Sequence, residues 1–253
     1  MCFLGLRLGA MQLKAVLFDM FDTLMLIERG HEFYSPSLRR AHEFLAANGV
    51  SAGFEEFQKA YIKARDALYA EADARLEEPH FNVRIAEALK RLGYEYNASS
   101  RLVVGATGAF CERFMDFVTL DPDAKKVLEK LSGRYKLGIV SNFAIPECVF
   151  KLLKKHGLDG FFDVVVVSGE VNKRKPSPEI FQKALQKLGV SEKETVFVGD
   201  TVDADIAGAK SAGMKTVYIE RRRQEEAEGT CPDQTIKSLG KLSSAIERCR
   251  LSM

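Results

Sequence analysis

Eight polar residues stand at positions where chemistry could begin. Asp19 and Asp22 follow the apolar run Ala15 to Phe18. Ser141 and Asn142 follow Lys136 to Val140, and Asp200, with Asp203 and Asp205, follows Thr195 to Val198. Lys175 sits in a Lys-Pro loop just before a helical pattern. Carboxylates gathered in one crevice repel each other unless a cation sits between them, and hard oxygen donors without a His or Cys cluster favour Mg²⁺ over zinc. The pattern therefore predicts a Mg²⁺ site. His31, His42, His80 and His156 are too scattered along the chain to form a metal site of their own.

For these groups to meet, the apolar runs before them must lie side by side. Each is a short continuous run with little alternation, the signature of a strand buried on both faces of a parallel sheet. Val164 to Val167 and Thr216 to Ile219 have the same form. Helical patterns separate them, starting at Asp121-Pro122-Asp123 and running through Leu131, then over Glu147 to His156, and over Pro178 to Leu188 before Gly189. Strands alternating with helices predict an α/β fold with a doubly wound, Rossmann-like parallel sheet. Such sheets bind ligands at the carboxyl ends of their strands, which is where the polar residues fall.

Between about Glu28 and Phe117 the strand signal vanishes. Apolar residues recur at helical spacing instead, as in Leu38, Ala41, Leu45 and in Phe54, Phe57, Tyr61, Leu68, with turn signals at Asn48-Gly49, Glu78-Pro79 and Gly93. This predicts an all-helical unit inserted after the first strand. The aromatic stripe reads as that unit's own core, and Gly105 and Gly108 read as close helix packing. The expected division is a discontinuous core over 11–27 and 118–253, a helical insertion over 28–117, and an N-terminal extension over 1–10 with Met11 as an alternative start.

Composition limits the remaining roles. The 253 residues carry 37 Lys+Arg against 35 Asp+Glu, a net charge of +2, so no overall field recommends nucleic acid or an anionic membrane as a partner. No apolar run approaches the roughly 18 residues needed to span a bilayer. Cys2, Cys111, Cys148, Cys231 and Cys249 are odd in number and contain no C-x-x-C pair, which fits a reducing, cytoplasmic location. Arg221-Arg222-Arg223 is followed at once by Glu225, Glu226 and Glu228, so this segment reads as a solvated loop, leading to a peripheral helix around Leu242 to Cys249.

Four segments in order carry a resemblance: Phe18-Asp19-Met20-Phe21-Asp22-Thr23-Leu24, Val140-Ser141-Asn142, Lys175-Pro176-Ser177-Pro178, and Val198-Gly199-Asp200-Thr201-Val202-Asp203-Ala204-Asp205. Together they resemble the four motifs of the haloacid dehalogenase-like hydrolase superfamily, and the helical insertion resembles its cap. The resemblance implies a Mg²⁺-dependent phosphatase acting on a small phosphorylated metabolite. Asp19 would be the nucleophile that becomes an aspartyl-phosphate. Ser141 would bind a phosphoryl oxygen, with Asn142 beside it, and Lys175 would neutralise charge on both Asp19 and the phosphoryl group. Asp200 would ligate the metal with Asp19 and the backbone carbonyl of Phe21. Asp205 would act on it through water or orient Lys175, and Thr23 would fix the loop near the phosphate.

One position departs from the phosphatase pattern. Two residues after the nucleophile the family usually carries a second aspartate, which protonates the leaving group and later activates water; here it is Phe21. Asp22 is one residue out of register, and is read either as a substitute acid or as a residue that caps the turn. General acid-base catalysis is worth typically about 10²–10⁴-fold, so the Phe21 chain should be slow on alkyl phosphates. Haloacid dehalogenases also resemble this chain in having an aromatic residue there, because halide leaves without a proton. For that reading Arg29, Arg39 or Arg40 could bind a substrate carboxylate. Asp200 and Asp205 favour the phosphatase, since dehalogenases need no metal and replace the leading aspartate. A catalytically impaired binding or regulatory protein is the third expectation, and no cap motif suggests phosphonate hydrolysis.

Overall fold

The computed structural model describes residues 12–28, 30–221 and 231–251. The expectations for Met1 to Met11, Arg29 and residues 222–230 lie outside them. β1 (Ala15–Phe18), β4 (Lys136–Ser141), β5 (Val164–Val167), β6 (Thr195–Gly199), β7 (Lys215–Ile219) and β8 (Gln234–Ile236) form one sheet in the order β5-β4-β1-β6-β7-β8. Every neighbouring pair in it is parallel. All four β1 residues are fully buried, which is why the strand shows no alternation. The edge strand β8 was not expected; at three residues it is too short to show a period.

Helices cover both faces, as parallel crossovers require. They are α5 (Ala124–Ser132), α6 (Pro146–Lys155), the single turn α7 (Ser168–Val171), α8 (Pro178–Leu188), the short α9 (Gly208–Ser211) and α10 (Leu242–Leu251). Local chemistry sets the ends of α8. The Ser177 hydroxyl accepts from the Glu179 N–H at 3.3 Å, Pro178 occupies the first turn, and Gly189 leaves the helix in the left-handed region at φ 65°.

The insertion contains α1 (Tyr34–Ala47), α2 (Phe54–Ala72), α3 (Phe81–Arg91) and α4 (Arg101–Phe114), which form a cap. Phe57 and Tyr61 are completely buried, as the stripe predicted. Gly105 belongs to the packing of α4 on α1, because a Cβ there would fall on the Phe44 ring. The chain enters and leaves the cap through a feature absent from the sequence reading, an antiparallel ribbon of β2 (Met25–Ile27) and β3 (Val118–Leu120). Three residues per strand are again too few to declare a period.

Candidate active site

Register brings the polar strand ends together. Phe18 pairs with Ile139 of β4 on one side and Val198 of β6 on the other, so Asp19, Ser141 and Asp200 emerge at nearly one level. Asp19, Asp200 and Asp205 are all buried, and a ligand oxygen from each lies within 4.8 Å of the other two. The Lys175 ammonium sits among them, 2.6 Å from Asp19 Oδ1 and 2.7 Å from Asp205 Oδ1. Its side chain is only 2% exposed, so these ions interact with little screening.

The electrostatics shows what the cluster lacks. Burial, with a smaller contribution from Asp205, pushes the Asp19 carboxyl up to about 6 even though Lys175 opposes the rise. Asp200 is raised further, to about 8, first by burial and then by the charges of Asp19, Asp205 and Asp22. Burial works against the Lys175 ammonium too, but Asp19 and Asp205 together outweigh it and hold it above the usual lysine range. Three buried acids facing one cation are short of positive charge. A hard divalent ion with oxygen ligands is what such a donor set fits.

Asp205 is aimed by its local backbone. It sits in a turn of π-helix over Val202–Ala207, and its Oδ2 accepts from the Thr201 N–H at 3.0 Å. Gly199 permits this close approach, since a Cβ there would collide with the Asp205 carboxyl. Asp203 does not join the cluster as the sequence suggested. It is exposed, because residues two apart on a helical turn point to different sides.

Asn142 and Lys175 are joined in both directions. The Asn142 amide donates to the Lys175 carbonyl at 2.9 Å and accepts from the Lys175 N–H at 2.7 Å. The Ser141 and Thr23 hydroxyls differ: both are fully buried and neither has a hydrogen-bond partner. A buried hydroxyl without a partner is unfavourable unless a ligand completes it.

Phe21 and Asp22 take separate paths. Asp22 has φ 57°, and its Oδ1 accepts from the Ile27 N–H at 3.1 Å, which matches the turn-capping reading. The Phe21 ring lies 4.8 Å from Phe143, in the segment after β4, and 5.6 Å edge-on from Phe114 of α4. Phe114 and Phe143 stack at 5.1 Å. These three rings join core to cap at the place where a second carboxylate would stand.

Arg39 and Arg40 lie away from the site. The Arg39 guanidinium covers the Phe54 ring at 3.7 Å and Arg40 pairs with Glu43 at 3.3 Å on exposed surface. Two other arginines matter more: Arg84, which no motif singled out, and Arg221, expected in a solvated loop but with a side chain only 17% exposed. Arg221 donates to the carbonyls of Asp22 and Thr23, each at 2.9 Å, and pairs with buried Asp121 at 2.6 Å, so it clamps the loop after the nucleophile and the return from the cap. Arg84 of α3 pairs with Glu78 at 2.5 Å inside the cap. No spacing links either arginine to its partners, which lie up to 199 residues away for Arg221.

This arrangement can be set beside known proteins. Residues 13–213 match the family described as haloacid dehalogenase-like hydrolase. The chain belongs to that family. A glyceraldehyde 3-phosphate phosphatase from Methanopyrus kandleri is 33% identical over 224 residues, covering 85% of this chain and 88% of the relative. A HAD phosphatase structure from Thermococcus onnurineus superposes with a TM-score of 0.60 at 27% identity, over 92% of this chain and 98% of that one. A 2-haloacid dehalogenase from Pseudomonas syringae pv. Tomato gives a TM-score of 0.72 at 23% identity, over 94% and 99%. At that identity it speaks for the shared fold alone. This haloacid dehalogenase-like hydrolase thus has phosphatase relatives, and among its described residues no helix is long and apolar enough to cross a membrane.

Proposed function

We propose that this chain is a Mg²⁺-dependent phosphatase that works through an aspartyl-phosphate on Asp19 and hydrolyses a small phosphorylated metabolite without a second aspartate. The observation that carries the reading is the buried triad Asp19, Asp200 and Asp205 with Lys175 wedged between two of its members. Dehalogenation calls for no such concentration of buried acid. The same reading divides the chain into a core over 11–27 and 118–253 and a cap over 28–117.

Mg²⁺, held by Asp19, Asp200 and the Phe21 backbone carbonyl with Asp205 acting through water, would neutralise charge on the phosphoryl group. Lys175 bridges Asp19 and the incoming phosphoryl group, and Asp205 keeps the ammonium in place. Ser141 donates its unpartnered hydroxyl to a phosphoryl oxygen, and Thr23 steadies the loop beside it. Asn142 acts by fixing the Lys175 main chain, since both ends of its amide are engaged there. An Asp19 oxygen bonds to phosphorus as the bond to the leaving oxygen breaks. The departing oxygen takes its proton from solvent, because Phe21 has none to give. Water then attacks phosphorus, releasing phosphate and restoring the Asp19 carboxylate. With no base in the Phe21 position, this second step is slow.

Phosphate release that stops with EDTA and returns with Mg²⁺ is the expected result. After a short incubation with acetyl phosphate, the peptide containing Asp19 should gain about 80 Da. Chelator-insensitive chloride release from 2-chloropropionate would replace this reading with dehalogenation. Absence of turnover on either substrate type, with Mg²⁺ present, would leave a binding protein.

A further inference from the structure

Between the cap and the segment that continues from Ser141 lies a cavity of about 350 Å³. Its core wall is Asn142 to Ile145, and its cap wall includes Phe33, Phe81 and Phe110. Asn142 adjoins the residue proposed to hold the phosphoryl group, so this is where the remainder of a substrate would lie. A volume at the small end of ligand pockets suits a few-carbon or single-ring group.

Arg84 and Glu78 are the charged residues in the lining, and they cancel. Their side chains are 7% and 8% exposed and meet at 2.5 Å. The Tyr69 hydroxyl donates to Glu78 and accepts from Arg84, so the carboxylate has two partners. The Arg84 Nε–H is different: it is buried and has no partner. Arg84 therefore brings a buried donor without a partner to the lining, in a neutral field and between aromatic walls, while the Tyr34 hydroxyl of the same lining is already paired with Tyr61. An anionic group there would face Glu78 and compete for a guanidinium already paired, whereas an uncharged acceptor satisfies the donor and leaves the pair intact.

We infer that the cavity selects phosphate esters whose alcohol part is small and uncharged and presents a carbonyl or hydroxyl oxygen to Arg84, and that Glu78 excludes substrates carrying a second anionic group. The inference rests on the phosphatase reading above and adds its substrate class.

The test compares two esters that differ by one group, glyceraldehyde 3-phosphate with an aldehyde and 3-phosphoglycerate with a carboxylate. Wild-type kcat/KM should favour the aldehyde by about tenfold or more. Glu78→Gln uncovers the Arg84 charge and should reduce that ratio by about tenfold, through a lower KM for the carboxylate. A merely structural pair would lower both rates together and leave their ratio unmoved. Equal wild-type rates, or a ratio unmoved in a folded Glu78→Gln protein, overturn the inference. If Glu78→Gln does not fold, the wild-type ratio decides. Calorimetric binding of both esters to Asp19→Asn protein with Mg²⁺ keeps the test independent of turnover: tighter binding of the aldehyde supports the inference even if the phosphatase reading fails, and equal or reversed affinities sink it.

Discussion

The two sides of Asp19 are built from opposite materials. On the core side, Lys175, Asp200 and Asp205 form a buried ionic cluster carried by the loop before α8, the end of β6 and the turn that follows it. On the cap side, Phe21, Phe114 and Phe143 form a hydrocarbon contact with no titratable group. The first is suited to gathering charge around a phosphoryl group. The second excludes water and holds the cap, but can neither give nor take a proton. On the proposed mechanism, nucleophilic attack is therefore well supported and leaving-group departure is left to the substrate's own chemistry.

The ionic side should be the more sensitive to single changes. Asp19→Asn removes the proposed nucleophile, and phosphate release should fall by about 10⁴-fold or more, with the mass gain on its peptide abolished. Lys175→Met comes next, with an expected loss of about 10²–10³-fold in kcat. Because it strips one charge from three acids, it should also weaken acetyl phosphate turnover as much as that of any ester. Loss confined to one substrate would show that Lys175 serves binding rather than the common phosphoryl site.

Protons should compete with metal at the same place. In the metal-free fold Asp19 titrates near 6 and Asp200 near 8, both above the usual carboxylate value of 3.8. Between those limits the folded state holds more protons than the unfolded chain, so metal-free stability falls as pH rises from about 4 to 8. Mg²⁺ needs the ionised acids, so its stabilising effect should grow over the same range. At a hundredfold excess over Kd, the gain is about 2.7 kcal/mol, or roughly 5–10 °C in Tm, and a thermal melt at pH 8 should show more of it than one at pH 5.5. An equal Mg²⁺ shift at both values would mean that the ion binds elsewhere.

The same division governs what could be read from the chain. Asp19, Ser141 and Asp200 each end an apolar run, and parallel pairing in register, with the Lys175 loop beside it, brings such ends together whatever lies between them. Local pattern was therefore enough to anticipate their meeting. Asp203 and Asp205 show its limit, since two acids in one turn face different ways and only backbone geometry decides which is buried. The cap side was less legible. Periodicity located the helical insertion and the apolar faces of α1 and α2, but it has no means of pairing Arg84 with Glu78 or Arg221 with Asp121, contacts set by how separate elements come to rest. Arg39 and Arg40 looked available because a helical pattern does not say which basic residues turn outward. β2 and β3 escaped notice because three residues cannot establish alternation.

Phe21→Asp tests the hydrocarbon side, and its expected effect is the smallest. A carboxylate there can protonate a leaving oxygen and activate water, a contribution typically of about 10²–10⁴-fold. It must enter a space now filled by a ring against Phe114 and Phe143, and losing two aromatic contacts costs about 0.5–1.5 kcal/mol each. A new charge beside Asp19 and Asp200 is also repelled, which keeps part of the population misplaced. The net gain on an alkyl phosphate should therefore be only about tenfold, while acetyl phosphate, whose leaving group needs no proton, gains only in the hydrolysis of the aspartyl-phosphate. Steady-state rates on both substrates, with the fraction of phosphorylated Asp19 measured by mass spectrometry, separate the two steps. A fall on both substrates would show that the ring's hold on the cap outweighs the missing acid.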